Sequence, residues 1–159
     1  MKIFPGTDMT RRQLVGLAGL GSALLLAAAF AFQALGYAPC AMCLWQRWPH
    51  AAAIALGALG FVLPASVIVL AGAASVATSA GLGLFHTGVE RSWWDGPATC
   101  GAANPSGMTP EQLMEQIMSA PLVRCDEVAW QFLGLSMASW NAVASLALVA
   151  LWLMALRRS

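Results

Sequence analysis

The sequence predicts an all-α membrane protein, a four-transmembrane-helix bundle with a short amphipathic helix in its second outer loop. Of the 159 residues, 59% are hydrophobic and 9% are charged, whereas a soluble domain has about 25% charged residues. Between Gln13 and Val89 the single charged side chain is Arg47, and such a stretch cannot form a water-soluble surface. We therefore expect residues 1–159 to form one integral membrane domain. No basic cluster suggests binding of nucleic acid.

Four apolar stretches are long enough for membrane helices, each of which needs about 20 residues. They cover residues 14–35, 44–63, 66–85 and 132–156. Pro39 ends the first stretch because proline lacks an amide donor, and Pro64 lies in the tight turn between the second and third. A cleaved secretory signal has an apolar core of roughly 7–15 residues. The first stretch is longer than that, so we expect it to be retained.

The basic residues near the helix ends predict the orientation of the bundle. They are Lys2, Arg11 and Arg12 before the first helix and Arg157 and Arg158 after the last. Basic residues prefer the cytoplasmic side, and an even number of crossings places both termini there. Loops 36–43 and 87–131 then face outward. The second loop carries six of the seven acidic residues.

A short amphipathic helix is predicted within the second outer loop. Thr109, Pro110 and Gln112 form the pattern of an N-cap, a first helical residue and a capping-box partner. Apolar residues follow at helical spacing, and Pro121 ends the segment. Such a helix can lie flat on a bilayer or pack on the loop itself, and both interpretations stay open.

Two cysteine pairs fall in the two outer loops. Cys40 and Cys43 form a C-x-x-C pair, while Cys100 and Cys125 flank the predicted loop helix. Disulfides persist on the oxidising side of a membrane. A C-x-x-C pair is typically active in exchange, since a two-residue gap constrains the unfolded chain little. Two static bridges are the structural alternative, and a four-thiolate zinc site is disfavoured by the oxidising side.

Arg47 is a candidate for stabilising negative charge near the C-x-x-C pair. Cys43 lies near the first turn of the second helix, where the helix dipole favours a thiolate. Arg47 follows four residues later and shares its face of the helix. The alternative is that the guanidinium reaches toward lipid headgroups.

The segment Cys40-Ala-Met-Cys43-Leu-Trp-Gln46-Arg47-Trp-Pro49 strongly resembles the signature of the DsbB family. These are bacterial inner-membrane thiol:quinone oxidoreductases that reoxidise the periplasmic oxidant DsbA, and this system keeps the periplasm oxidising. The likeness continues through His86-Thr-Gly-Val-Glu90, Trp94-Asp-Gly96-Pro97-Ala-Thr-Cys100, Arg124-Cys125-Asp126 and Gly134-Leu-Ser-Met-Ala-Ser-Trp140-Asn141. It covers nearly the whole chain in order.

The resemblance implies that the four cysteines are catalytic. Reduced DsbA would attack a Cys100–Cys125 disulfide at Cys100, and the released Cys125 would attack Cys40. The thiolate of Cys43 would then pass electrons to a membrane quinone, either ubiquinone or menaquinone. The cysteine loops would lie in the periplasm.

The resemblance also implies the residues that contact the quinone. Arg47 would hold the quinone and stabilise its negative charge, and His86 is the second candidate. No metal cofactor is expected. His86 or Glu90 could also relay protons, while interfacial packing is an equal alternative for His86.

Two other classes of function remain as alternatives. A haem b electron carrier would use His50 and His86 as axial ligands, but it leaves the cysteines unexplained. A non-catalytic membrane scaffold would use two static disulfides. The vitamin K epoxide reductase family also has a C-x-x-C in a helical bundle, but here the pair lies in the first outer loop. Packing is the default role for His50, and an interhelical hydrogen bond is the default for Asn141.

Overall fold

The computed structural model describes residues 9–63, 65–100, 109–119 and 123–158, and this part of the chain is mostly helical. The helices are α1 (Arg11–Ala34), α2 (Ala41–Val62), α3 (Ser66–Glu90), α4 (Pro110–Ser119) and α5 (Met137–Leu156). Two short strands, β1 (Gln131–Phe132) and β2 (Leu135–Ser136), directly precede α5. They pair antiparallel, with Phe132 opposite Leu135.

The four long helices pack side by side as a bundle. Helix α1 packs on α2, α2 on α3, α3 on α5, and α5 again on α1. Helices α2 and α5 therefore lie at opposite corners. Buried apolar residues such as Val15, Val76 and Trp152 form the core, whereas Leu24 and Leu70 are 63% and 53% exposed. An apolar exterior of this kind suits a lipid environment.

Small residues allow α1 and α2 to approach closely. A Cβ atom added to Gly57 would lie 2.7 Å from the Cα atom of Gly19. Helices in lipid associate by such close packing, because lipid provides no hydrophobic force between them. This crossing fixes α2 against α1 below the site described in the next subsection.

The first two helices begin earlier than predicted, because side chains cap their N-termini. Helix α1 begins at Arg11 instead of residue 14, since Thr10 and Gln13 form a reciprocal capping box. Helix α2 begins at Ala41 instead of residue 44. Its N-cap is Cys40, whose sulfur accepts a hydrogen bond from the backbone N–H of Cys43 at 3.2 Å.

Helix α3 extends past the predicted end at residue 85 and continues to Glu90. Its last turn is closed by the backbone bond from Arg91 N to Thr87 O, at 3.1 Å. The helix stops where Ser92 adopts a φ of 55°. His86 and Glu90 therefore both lie on α3, one turn apart, with Glu90 as its last residue.

The predicted start of the last helix at residue 132 is wrong, because a hairpin occupies residues 131–136. Leu133 and Gly134 have φ values of 52° and 75°, which is the conformation of a two-residue hairpin turn. Ser136 then caps α5 by accepting the backbone N–H of Ser139 at 3.2 Å. The all-α prediction did not include this hairpin.

Three helices in the described part of the chain are long and apolar enough to cross a membrane, namely α1, α3 and α5. Helix α2 falls outside that group, and its outer half carries Gln46, Arg47 and His50. A crossing by α2 stays a prediction at this point.

Helix α4 begins at Pro110, where Thr109 and Gln112 exchange hydrogen bonds of 3.0 and 3.3 Å. On this helix the side chains of Met114 and Met118 are 61% and 80% exposed. Its position on a bilayer stays a prediction, and the expected stop at Pro121 lies outside the described residues.

Candidate functional site

The C-x-x-C pair lies at the N-terminus of α2, with its sulfur atoms close together. Cys40 and Cys43 are thiols whose Sγ atoms are 2.8 Å apart. Cys40 is buried, and Cys43 is half-buried. Because Cys40 is the N-cap and Cys43 the third residue of α2, the first helical turn places their side chains on the same side of the helix. The pair is thus arranged to close into a disulfide, whose S–S bond is about 2.05 Å long.

The two thiols are not equivalent. The hydrogen bond to Cys43, followed by burial, raises the pKa of Cys40 far above its ordinary value. In the reduced pair the shared proton therefore stays on Cys40. The sulfur of Cys43 consequently carries the thiolate character, next to the backbone amides of the first helical turn.

Cys100 and Cys125 form a disulfide across the second outer loop. Both are buried, and the backbone N–H of Cys125 donates to the carbonyl oxygen of Cys100 at 2.9 Å. They pack in one apolar cluster with Cys40, Met42 and Val89. Both cysteine pairs thus lie at the same end of the bundle, with half-buried Cys43 packed against this cluster.

His86 connects the two cysteine pairs. Its Nε2 atom lies 3.6 Å from the Sγ atom of Cys40 and 3.2 Å from the carbonyl oxygen of Cys125. The imidazole is 3% exposed and projects from the outer end of α3. On the other side of the ring, Nδ1 lies 3.0 Å from the amide nitrogen of Gln46.

Arg47 faces α1 instead of contacting the sulfur atoms directly. Its guanidinium donates to the side-chain oxygen of Gln33 at 2.7 Å and to the carbonyl oxygen of Ala29 at 3.5 Å. It also lies 4.8 Å from the ring centre of Phe30. These contacts hold a positive charge one turn along α2 from Cys43, and stabilisation of negative charge by Arg47 stays a prediction.

A cavity of about 490 Å³ opens beside these residues. Cys43, Arg47 and His86 line its polar wall, and apolar side chains of α1 and α5, including Phe32 and Ala144, line the remainder. A largely apolar cavity with a few polar groups suits a flat apolar ligand with polar edges. Its volume and lining fit a quinone ring placed against Cys43.

A buried polar network, which the sequence did not predict as a unit, continues from His86 into the bundle. The amide of Asn141 donates to the side-chain oxygen of Gln46 at 2.7 Å, across opposite corners of the bundle. His50 Nε2 lies 2.9 Å from the side-chain oxygen of Asn141 and 3.0 Å from the hydroxyl of Ser79. Polar residues within apolar helices are visible in the sequence and indicate hydrogen bonding. The sequence does not show which of these residues bond to each other.

The network bears on the haem interpretation. Nε2 of His86 and Nε2 of His50 both lie within hydrogen-bonding distance of protein groups. Neither atom is available as an axial ligand in this arrangement. The haem alternative therefore gains no support from the positions of the two histidines.

Three potential metal ligands, Cys40, Cys43 and His86, lie within 4.8 Å of one another. Tetrahedral zinc with Zn–S bonds of about 2.3 Å holds its sulfur ligands ~3.8 Å apart. The sulfur atoms of the two cysteines are much closer, at 2.8 Å. A zinc ion would therefore require the two sulfur atoms to move apart.

Polar residues surround the outer rim of the site. Arg124 donates from Nε to Asp126 at 2.9 Å, and this guanidinium lowers the pKa of the Asp126 carboxyl group. Glu90 accepts a hydrogen bond from the hydroxyl of Ser136, which caps α5. The first contact lies within the segment around Cys125, and the second joins the hairpin to the outer end of α3.

Comparisons with known proteins identify the family of the chain. The family model described as "DsbB: Disulfide bond formation protein DsbB" matches residues 11–155. Disulfide bond formation protein B of Dechloromonas aromatica (strain RCB) is 34% identical over 145 residues, which cover 83% of this chain and 84% of the relative. The protein of that name from Shewanella sp. (strain ANA-3) is 37% identical over 132 residues, covering 78% and 75%. The one from Pasteurella multocida (strain Pm70) is 33% identical over 152 residues, covering 90% and 84%. No solved structure matches the chain.

Proposed function

The chain belongs to the DsbB family of membrane-bound disulfide bond formation proteins, and from this premise we propose that it is a thiol:quinone oxidoreductase. It takes electrons from a DsbA-type periplasmic dithiol and passes them through its two cysteine pairs to a membrane quinone. One observation carries the proposal: Cys40, Cys100 and Cys125 share one buried cluster, and Cys43 packs against it beside an apolar cavity.

The first exchange takes place at the loop disulfide. A thiolate of the DsbA-type partner attacks Cys100, forms a mixed disulfide and releases Cys125 as a thiolate. Cys100 is 2% exposed, so the segment around it must move aside before the partner can reach the sulfur. Docking of the partner would supply the energy for that movement.

The second exchange transfers oxidising equivalents between the two pairs. The Cys125 thiolate attacks Cys40 of a Cys40–Cys43 disulfide, so that a Cys125–Cys40 bond forms and Cys43 leaves as a thiolate. The presence of Cys125 and Cys40 in one buried cluster supports this step. Release of Cys43, and not of Cys40, agrees with the raised pKa of Cys40.

The cavity is the proposed quinone site, with Cys43 and Arg47 in its wall. When bound, a quinone supplies an acceptor for two electrons and two protons. DsbA is a strong oxidant, at about −120 mV, so its reoxidation requires an acceptor of higher potential. Arg47 would stabilise developing negative charge on the ring, and its contacts with α1 keep the guanidinium in place.

The proposal includes the location of the chain in the bacterial inner membrane. Helices α1, α3 and α5 have the length and composition of membrane spans, and α2 would be the fourth span because it packs between α1 and α3. Both termini would then be cytoplasmic and both cysteine loops periplasmic. The amphipathic helix α4 would lie in the second periplasmic loop, with its exposed methionines on the lipid surface.

Purified protein in detergent tests the proposed activity directly. Reduced DsbA and a short-chain ubiquinone are added, and loss of quinone absorbance is followed for the wild type, Cys43→Ser and Cys100→Ser. Consumption that requires DsbA and both cysteines is the expected result. A wild type that consumes neither ubiquinone nor menaquinone analogues would overturn the proposal and favour the scaffold alternative.

A further inference from the structure

We propose that Gln46 and Asn141 are positioning residues that hold His86 in a single tautomer, with its proton on Nε2. This proton faces the sulfur of Cys40 and the carbonyl oxygen of Cys125. The catalytic meaning of the inference rests on the proposed function, whereas the tautomer itself does not. Gln46 and His86 are 6% and 3% exposed, so most of each side chain is shielded from water.

The orientation of the Gln46 amide follows from its neighbours. Its nitrogen lies 3.1 Å from the backbone carbonyl oxygen of Met42, which can only accept a hydrogen bond. Its oxygen lies 2.7 Å from the amide nitrogen of Asn141, which can only donate. The group that faces His86 Nδ1 at 3.0 Å is therefore an N–H donor. Nδ1 must accept, so it carries no proton.

The opposite edge of the imidazole requires the same tautomer. Nε2 lies 3.2 Å from the carbonyl oxygen of Cys125, and two acceptors at that distance would repel each other. Nε2 must therefore carry the proton. An imidazolium would place a second N–H against the amide of Gln46, so the same contacts disfavour the charged form. Both edges of the ring thus specify neutral His86 with the proton on Nε2.

Asn141 keeps the Gln46 amide from rotating. Its nitrogen also lies 3.2 Å from the hydroxyl of Ser79, while its oxygen accepts from Nε2 of His50 at 2.9 Å. Rotation of either amide would place donor against donor. The chain from His50 through Asn141 and Gln46 to His86 therefore has one consistent direction of donation, and it links α5 and α2 to the histidine on α3.

The position of the Nε2–H group suggests what it does during exchange. When the Cys100 thiolate resolves a Cys40–Cys125 disulfide, the Cys100–Cys125 bond forms, the Cys40–Cys125 bond breaks, and the electron pair leaves on Cys40. No proton has to move in this step. His86 donates a hydrogen bond to the departing sulfur, 3.6 Å away, and retains its proton. The pattern of disulfides that this step would produce is the one seen here, with Cys100 and Cys125 joined and Cys40 in no disulfide.

Nitrogen NMR on histidine-labelled wild-type protein in detergent tests the tautomer. The chain has two histidines, so His50→Leu assigns their signals. At about pH 7, near the ordinary histidine pKa, we expect the ring nitrogens of His86 to show a neutral form protonated at Nε2. A form protonated at Nδ1, or an imidazolium, would overturn the proposal.

Gln46→Glu tests the positioning role, because a carboxylate replaces the N–H donor with an acceptor of the same shape. We expect Nδ1 of His86 to gain a proton in this variant. Ser145→Ala is the matched control, since this buried serine lies 3.4 Å from His50 but does not bond to Gln46 or Asn141. An unchanged His86 signal in Gln46→Glu would contradict the inference.

Mapping of disulfides during turnover tests the catalytic consequence. The reaction with reduced DsbA is quenched with an alkylating agent, and Cys40–Cys125 peptides are measured by mass spectrometry. We expect this disulfide to decay about tenfold more slowly in His86→Phe. This variant lacks one hydrogen bond to the departing thiolate, and a hydrogen bond to a charged group contributes about that factor. Unchanged decay would overturn the role of the Nε2–H group. A wild type that fails to reduce quinone yet shows the tautomer would refute the proposed function alone.

Discussion

The Nε2 atom of His86 lies 3.6 Å from the Sγ atom of Cys40, although the two residues are 46 positions apart. One belongs to the outer end of α3 and the other caps α2. The same nitrogen lies 3.2 Å from the carbonyl oxygen of Cys125, so His86 contacts both of the segments that carry the cysteine pairs. Exchange between the two cysteine pairs needs such proximity, because a thiolate must contact the sulfur that it attacks.

The reduced C-x-x-C pair should react with alkylating agents mainly at Cys43. The hydrogen bond to Cys43 and burial raise the pKa of Cys40, so its thiolate fraction stays small as the pH rises through about 8.5, where an ordinary cysteine ionises. We expect N-ethylmaleimide to label Cys43 about tenfold faster than Cys40 at neutral pH, because the thiolate is the nucleophile. Peptide mass spectrometry of the reduced protein measures both rates.

The control for this experiment is the unfolded reduced protein, in which the two thiols should react at similar rates. Equal labelling in the folded protein would show that the proton is not held on Cys40.

Replacing Arg47 should weaken the interaction with quinone and leave the exchange with DsbA intact. Arg47→Ala removes a charged donor from the cavity wall, and a hydrogen bond to a charged group contributes about 1.5–3 kcal/mol. We expect the KM for quinone to rise roughly tenfold to hundredfold, with a smaller rise for Arg47→Lys, which retains the charge but lacks the planar fork.

Arg91→Ala is the matched control, because this arginine lies 5.5 Å from the ring of Trp93 and outside the lining of the cavity. A similar rise in KM for both alanine variants would assign the effect to overall charge instead of to the position of Arg47.

Filling the cavity should also raise the KM for quinone. Ala144 lines the cavity on α5, and a phenyl ring there would occupy space that the quinone needs. We expect Ala144→Phe to lose most quinone reduction while DsbA still forms its mixed disulfide at Cys100. Ala147→Phe adds the same ring to an exposed position on the same helix and should retain activity. Equal activity in the two variants would place the quinone elsewhere.

The crossing of α1 and α2 should be sensitive to a single methyl group. A Cβ atom at Gly57 would lie 2.7 Å from Cα of Gly19, a backbone atom that cannot move aside. We expect Gly57→Ala to lower the free energy of unfolding by about 1–3 kcal/mol, as overpacking does. Titration with a denaturing detergent, followed by circular dichroism, measures this quantity.

Gly81→Ala is the matched control, and it should not lower the free energy of unfolding. A Cβ atom there meets nothing within 4 Å, and alanine is the better helix former by roughly 0.5–1 kcal/mol. This variant should therefore be as stable as the wild type or more so. Equal destabilisation by the two substitutions would refute the close crossing.

The boundaries of the helices show where prediction from sequence succeeds and fails. The apolar stretches identified the long helices, because their length and composition are local properties. The ends depended on single hydrogen bonds: the Cys40 sulfur starts α2, and the turn at Leu133 and Gly134 delays α5. An apolar run conceals such a turn, since Leu133 has the same hydropathy in a hairpin as in a helix.

The functional site also has features that the sequence predicted and features that it did not. The spacing of Cys43 and Arg47 placed both on one face of α2, because helix geometry fixes neighbours four residues apart. The pairing of Gln46 with Asn141 joins residues 95 positions apart, and no local pattern encodes it. The default role expected for Asn141, an interhelical hydrogen bond, agrees with this contact.

By itself, the sequence determined the membrane class, the long apolar helices and the C-x-x-C at a helix N-terminus, since each follows from composition or from spacing within one turn. Only the tertiary structure decided that His86 would lie between Cys40 and the carbonyl of Cys125. It also decided that the amide of Gln46 would face the imidazole. These contacts depend on how α2, α3 and α5 pack, and packing is set by close approach of whole helices, which a local pattern does not specify.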